Sequence, residues 1–161
     1  MTTTSNAQPP FHRLLLTGAA GGLGKVLRER LQPLTEILRL SDIAEMAPAE
    51  GPHIEVQLCD LADKQAVHQL VEGVDAILHF GGVSVERPFE EILGPNISGV
   101  FHIYEAARRH GVKRVIFASS NHVIGFHKQT DTIDADAPRR PDGYYLSLIH
   151  ISEPTRPLYI S

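Results

Sequence analysis

Short apolar runs and amphipathic stretches alternate along the chain from residue 11 onward. Residues 11–16 form an apolar run broken by Thr17-Gly18, the pattern of a buried strand. Between 22 and 31, Leu23, Val26, Leu27 and Leu31 recur at helical spacing with Pro33 just beyond, which predicts a helix. Strands follow at 36–40, ending in Ser41-Asp42, and at 54–58, ending in Cys59-Asp60. A helix over 63–71, a strand over 75–80, an amphipathic helix over 96–109 stopped by Gly111 and a strand over 112–118 complete the series. The opening ten residues are polar with two prolines and read as a disordered arm, and no internal repeat is visible.

Strands separated by helices pair in parallel, because a right-handed helical crossover returns the chain to the same sheet. The expected fold class is therefore α/β, a doubly wound parallel sheet. In such sheets ligands sit outside the carboxyl ends of the strands. That directs attention to 18–24, Asp42, Asp60, 81–84 and 119–122.

Composition narrows the classes. A hydrophobic content of 42 %, a charged content of 21 % and a net charge of -4 supply no basic excess for tracking phosphate backbones, so nucleic acid is not an expected partner. No apolar run approaches the roughly 20 residues that cross a bilayer, and membrane association is not expected. Cys59 is the single cysteine, and the opening segment has neither the basic start nor the apolar core of a signal peptide; a cytoplasmic location fits both features.

The first candidate site is TGAAGGLG, with Gly18, Gly21 and Gly24 in the spacing GxxGxxG between a strand and a helix. Gly18 permits a tight turn, Gly21 lets backbone approach a pyrophosphate, and Gly24 allows helix and strand to pack closely. The helix N-terminus adds free amides and partial positive charge. A plain flexible turn is the bland alternative. Asp42 stands where a carboxylate accepts hydrogen bonds from both adenosine ribose hydroxyls and repels a 2′-phosphate, which favours NAD over NADP; the simpler role for Ser41-Asp42 is to cap a helix or turn. Asp60-Leu61 reads either as a cap or as a carboxylate and amide meeting the adenine. Ser119, Ser120 and Asn121 read as the cap of a strand-end turn or as polar groups of a site. The nine histidines are scattered, and His122 and His127 do not share a helical face, so no metal site is expected.

The GxxGxxG spacing, the DL pair, FGG after the fourth strand and ASSNHVIG after the fifth together resemble the extended short-chain dehydrogenase/reductase superfamily over residues 11–145. Within it, HFGGVSVERPFEEIL and SSNHVIGFH are similar to uronate dehydrogenases, which oxidise hexuronates such as glucuronate and galacturonate to aldarolactones with NAD. Sugar-nucleotide epimerases usually show a small pair such as AA and a tyrosine where this chain has Gly81-Gly82 and Ile124. The resemblance implies a Rossmann fold in which Gly22, Leu23, Asp42, Asp60, Leu61, Phe80, Gly81, Gly82, Val83 and Ser84 bind NAD. It also implies that Ser84, Ser120, Asn121 and His122 face the sugar, with Ser120 hydrogen-bonding the anomeric oxygen as charge builds there. Asn96, matching a structural asparagine of the superfamily, is expected to support the site, its simpler role being an N-cap. Association into a homo-oligomer, through the helix from Asn96 and the one carrying Tyr145, follows from the same likeness.

The superfamily's working pair is Tyr-x-x-x-Lys, in which positive charge lets a phenolate act as base near neutral pH. Tyr145 matches the catalytic tyrosine, but Ile149 stands where the lysine belongs. The segment 146–161, LSLIHISEPTRPLYIS, has no clean helical period and two prolines, so it reads as a non-native tail after an incomplete NAD-binding domain over 11–145. A chain so constituted is expected to be inactive. The alternatives are an NAD-dependent nucleotide-sugar epimerase or dehydratase, and a non-catalytic dinucleotide-binding module.

Overall fold

The computed structural model describes residues 8–47, 51–134 and 136–140. Tyr144, Tyr145, Ile149 and the segment 146–161 lie outside the described residues, as does the side chain of Asn121.

Strands β1 (Phe11–Thr17), β2 (Thr35–Asp42), β3 (Ile54–Leu58), β4 (Ala76–His79) and β5 (Arg114–Phe117) form one parallel sheet in the order β3-β2-β1-β4-β5. Helices α1 (Gly22–Arg30), α2 (Lys64–Val71), α3 (Phe89–Ile92) and α4 (Gly99–His110) connect or flank the strands. The order is that of a doubly wound sheet: the chain moves outward from β1 to β3 and then crosses to β4 on β1's other side. The crevice at this reversal lies between the carboxyl ends of β1 and β4.

Alternation along the strands sorts the core into two layers. Leu15 and Ile77 point to one face, where they meet Val67, Leu70 and Val71 of α2 and Ile103, Ala106 and Ala107 of α4. Leu14, Leu16, Leu38, Leu40 and Ala76 point to the other, against Leu27 and Leu31 at the end of α1. Continuous apolar runs suit strands covered on both sides.

Local signals set the helix ends. Asp63 precedes α2 and its carboxylate accepts from the Gln65 and Ala66 amides at 2.8 and 3.1 Å. Gly111 closes α4 with a left-handed φ of 70°. Among the described residues no helix is long and apolar enough to cross a membrane.

Three details depart from the sequence pattern. The stretch expected as one helix from 96 begins instead as a π turn, Leu93–Ser98, with the α-helical hydrogen bonding starting at Gly99. Asn96 therefore sits inside a wide turn and is not a helix cap. Leu23 and Val26, part of the apolar spacing of α1, are 67 % and 52 % exposed, because Gly24 is the point of closest approach and only Leu27 and Leu31 turn to the sheet. Asp42 is the last residue of β2 rather than the first beyond it.

Candidate functional site: a dinucleotide cleft at the β1–β4 crevice

The loop from β1 to α1 is built by its glycines, and they divide into two kinds. Gly18 has φ +71°, and a Cβ on it would lie 2.5 Å from the backbone of Phe80. A Cβ on Gly24 would lie 2.2 Å from the Gly18 carbonyl oxygen and 2.7 Å from Ala19 Cα. Both positions are filled by the protein's own backbone and admit no side chain. Gly21 would meet only the Gly18 oxygen at 3.3 Å, and Gly22 would meet nothing within 4 Å. Gly21 is also the N-cap of α1 and offers no capping side chain. The first-turn amides of Gly22, Leu23 and Gly24 therefore have no intrahelical acceptor, and nothing lies within 4 Å of where a Gly22 side chain would begin. This is the arrangement an anionic pyrophosphate fits.

The loop is held from β2 and from α1. The Ala19 amide donates to the Ser41 carbonyl at 3.0 Å, the Ala20 amide donates to Asp42 Oδ2 at 2.9 Å, and Arg28 Nε donates to the Ala19 carbonyl at 2.7 Å. Asp42 Oδ1 accepts from the Ala44 amide at 3.0 Å. The carboxylate thus caps its own turn and fixes the glycine loop, and each oxygen keeps a lone pair for another donor. Arg39, the nearest basic residue on β2, is turned away: its guanidinium binds Glu55 at 2.7 Å and the Leu70 and Glu72 carbonyls at 2.6 and 3.0 Å. It also helps hold the Glu55 carboxyl below the usual range, since the hydrogen bonds and charges of Arg39 and Arg13 outweigh the upward push of burial.

Beyond β3, Asp60 Oδ1 accepts from the Ala62 amide at 2.9 Å, so this carboxylate caps the turn into α2 while remaining exposed. Leu61 is buried under the β4 loop. A Cβ on Gly81 would come within 2.9 Å of Leu61 Cδ1, and one on Gly99 within 2.8 Å of Leu61 Cβ. The Leu61 side chain is a floor for the cleft, and its carbonyl accepts from His102 Nδ1 at 2.9 Å.

The β4 loop, 80–84, is shaped by two side chains from elsewhere. Asn96 Oδ1 accepts from the Val83 amide at 2.8 Å, and Asn96 Nδ2 donates to the Val83 carbonyl at 2.9 Å. Gly82, with φ +136°, passes so close that a Cβ would lie 3.0 Å from Asn96 Oδ1. Thr17 Oγ1 accepts from the Phe80 and Gly81 amides at 3.2 and 3.0 Å and lies 2.7 Å from His79 Nδ1. Burial pushes the His79 imidazole down to about 4, so the ring is neutral. Thr17 and His79 were not singled out from the sequence. The available signal was two polar residues at the inner ends of apolar strands, where an uncompensated polar group is costly.

Ser84 is exposed at the end of this loop. Ser120 follows β5, which joins β4 through the Ala118 amide and the His79 carbonyl at 3.0 Å, so the loops carrying Ser84 and Ser120 leave neighbouring strands. Ser120 caps the turn Asn121–Ile124, its Oγ accepting from the His122 amide at 3.3 Å. That bond uses a lone pair and leaves the hydroxyl proton for another acceptor. His122 is exposed. Among the described residues no group of three or more His, Cys, Asp or Glu comes together to hold a metal ion.

Comparison with known proteins agrees with this fold. Residues 14–150 match the NAD dependent epimerase/dehydratase family. The uronate dehydrogenase of Pseudomonas syringae pv. tomato is 81 % identical over 145 residues, covering 90 % of this chain and 53 % of the relative. A mutant uronate dehydrogenase from Agrobacterium tumefaciens complexed with NAD superposes with a TM-score of 0.83 at 55 % identity, over 86 % of this chain and 52 % of that one. A glucuronic acid dehydrogenase from Chromohalobacter salexigens gives 0.83 at 52 % identity, over 87 % and 52 %. The chain spans about half the length of the curated relatives it matches. With its glycine loop, its strand order and this match over most of its length, the chain belongs to the NAD dependent epimerase/dehydratase family.

Proposed function

We propose that the protein binds NAD in the β1–β4 crevice and, in its complete form, oxidises the anomeric hydroxyl of a hexuronate such as glucuronate or galacturonate to the aldarolactone. The observation that carries the NAD reading is the uncapped N-terminus of α1 facing the space left open by Gly21 and Gly22, with the Asp42 carboxylate at the adjoining strand end. Asp42 would accept from the ribose hydroxyls with the lone pairs its own bonds leave, and Arg39 is occupied elsewhere, so a 2′-phosphate would meet negative charge. Leu61 would underlie the nucleotide, and Phe80 to Ser84 would line its nicotinamide end. The hexuronate reading draws on the likeness to the uronate dehydrogenases.

Bound NAD supplies a hydride acceptor for the anomeric carbon. Ser120 would donate its hydroxyl proton to the anomeric oxygen while its Oγ still accepts from the His122 amide. Ser84, Asn121 and His122 would bind the sugar's remaining oxygens, and Tyr145 Oη would take the anomeric proton. A tyrosine is a base near neutral pH only beside positive charge, and Ile149 supplies none. The chain with this sequence would therefore bind NAD without turnover.

The test joins residues 1–145 to the downstream half of the Pseudomonas syringae enzyme and follows NADH. The expected result is accumulation of NADH with galacturonate or glucuronate and none with a nucleotide sugar. No NADH from either uronate, by a folded chimera that binds NAD, would overturn the hexuronate reading. Conversion of a nucleotide sugar without net NADH would replace it with an epimerase.

A further inference from the structure

Thr17 and His79 are neighbours across the β1–β4 pairing, each 1 % exposed, and both lie directly before the loops assigned to NAD. Their hydrogen bonding can be counted. A hydroxyl has one proton and two acceptor lone pairs. Thr17 Oγ1 accepts from the Phe80 and Gly81 amides, which uses both lone pairs. Its third contact, 2.7 Å to His79 Nδ1, must then be a bond that Thr17 donates. His79 Nδ1 therefore carries no proton, and the proton of the neutral ring sits on Nε2, which is buried without a partner among the described residues.

We propose that Thr17 and His79 are a positioning pair for the dinucleotide cleft: His79 Nδ1 orients the Thr17 hydroxyl, whose lone pairs hold the Phe80 and Gly81 amides. Those amides start the β4 loop where it presses on Gly18, within 2.5 Å of where that glycine's Cβ would be. One hydroxyl thus locks the nicotinamide end of the cleft to its pyrophosphate end. The reversed tautomer would present a third donor to an oxygen with two lone pairs, and one loop amide would have to let go. The inference rests on the NAD reading for its functional consequence, but its geometry stands apart from it.

Two readouts on the 161-residue chain test it. Long-range proton–nitrogen spectra of the histidines should show His79 as the Nε2–H tautomer; an Nδ1–H tautomer would overturn the pair. Thr17→Ser keeps the hydroxyl and should keep exchange protection at the Phe80 and Gly81 amides, with NAD affinity within about threefold. Thr17→Val keeps the shape but not the hydroxyl and should lose protection at both amides, with about tenfold weaker NAD binding. Equal protection in the valine variant would also overturn the pair. Absence of NAD binding by the unsubstituted chain would remove the functional consequence and the NAD reading together, leaving the tautomer and exchange data to decide the pair itself.

Discussion

The loops after β1 and β4 press together across one crevice, yet they are shaped by opposite means. In 18–24 the shape is set by close backbone contacts: Gly18 and Gly24 are required because the Phe80 carbonyl group, the Gly18 oxygen and Ala19 Cα occupy the space of their missing side chains. In 80–84 the shape comes from side chains far along the chain, Thr17 at its start and Asn96 beneath Val83. The first loop is specified by what it lacks. The second is specified by what distant residues bring to it.

The contrast can be broken most severely in the first loop. Gly24→Ala places a methyl group 2.2 Å from the Gly18 oxygen, and the backbone cannot move without carrying the sheet with it; it should cost about 3 kcal/mol or more, read from the shift in urea midpoint.

Acid is the next largest perturbation and attacks the second loop. His79 ionises at about 4 when folded against 6.5 when free, so the unfolded chain binds the extra proton. The contribution is complete above pH 6.5, is lost as pH falls toward 4, and amounts to roughly 3 kcal/mol. Urea midpoints of the chain and of His79→Gln, followed from pH 7 to 4, should diverge in slope across that window.

Asn96→Ala removes both bonds to Val83 and leaves a partly buried amide and carbonyl unpaired, at about 1–2 kcal/mol. Faster hydrogen exchange at Val83, with exchange in 18–24 unchanged, would separate the two loops cleanly. Asp42→Asn should lower NAD affinity about tenfold and raise the relative affinity for NADP, measured by calorimetry, because it removes charge at the ribose end. The smallest effect belongs to Gly22→Ala: with nothing within 4 Å of its Cβ, stability should hold or rise by up to about 1 kcal/mol. A large loss there would erase the distinction between structural and open glycines.

The strand and helix order was legible from periodicity because short apolar runs mark the central strands, Leu14–Leu16 in β1 and Ala76–Leu78 in β4, and the crossover helices α2 and α4 each have one apolar face. The glycine loop was legible because its spacing is local, although the backbone that crowds Gly18 belongs to the distant Phe80. The true start of α4 was not, since a π turn at Leu93–Ser98 shares the apolar spacing of a helix. The resemblance gives Asn96 a supporting role, which it has, but its grip on Val83 is a contact that no spacing encodes. The exposure of Leu23 and Val26 was equally hidden: four apolar positions shared a helical period, and the close packing at Gly24 decided which of them met the sheet.

For this protein the amino-acid sequence by itself determined the alternation of strand and helix, the parallel sheet and the phosphate loop, because these depend on side-chain period and on residues within one turn of each other. Only the tertiary structure decided that Asp42 also ties the glycine loop, that Arg39 is diverted to Glu55 and the end of α2, and that His79 holds its proton on Nε2. Those outcomes depend on which donors and acceptors meet across strands, and hydrogen-bond capacity is settled only when every partner is in place.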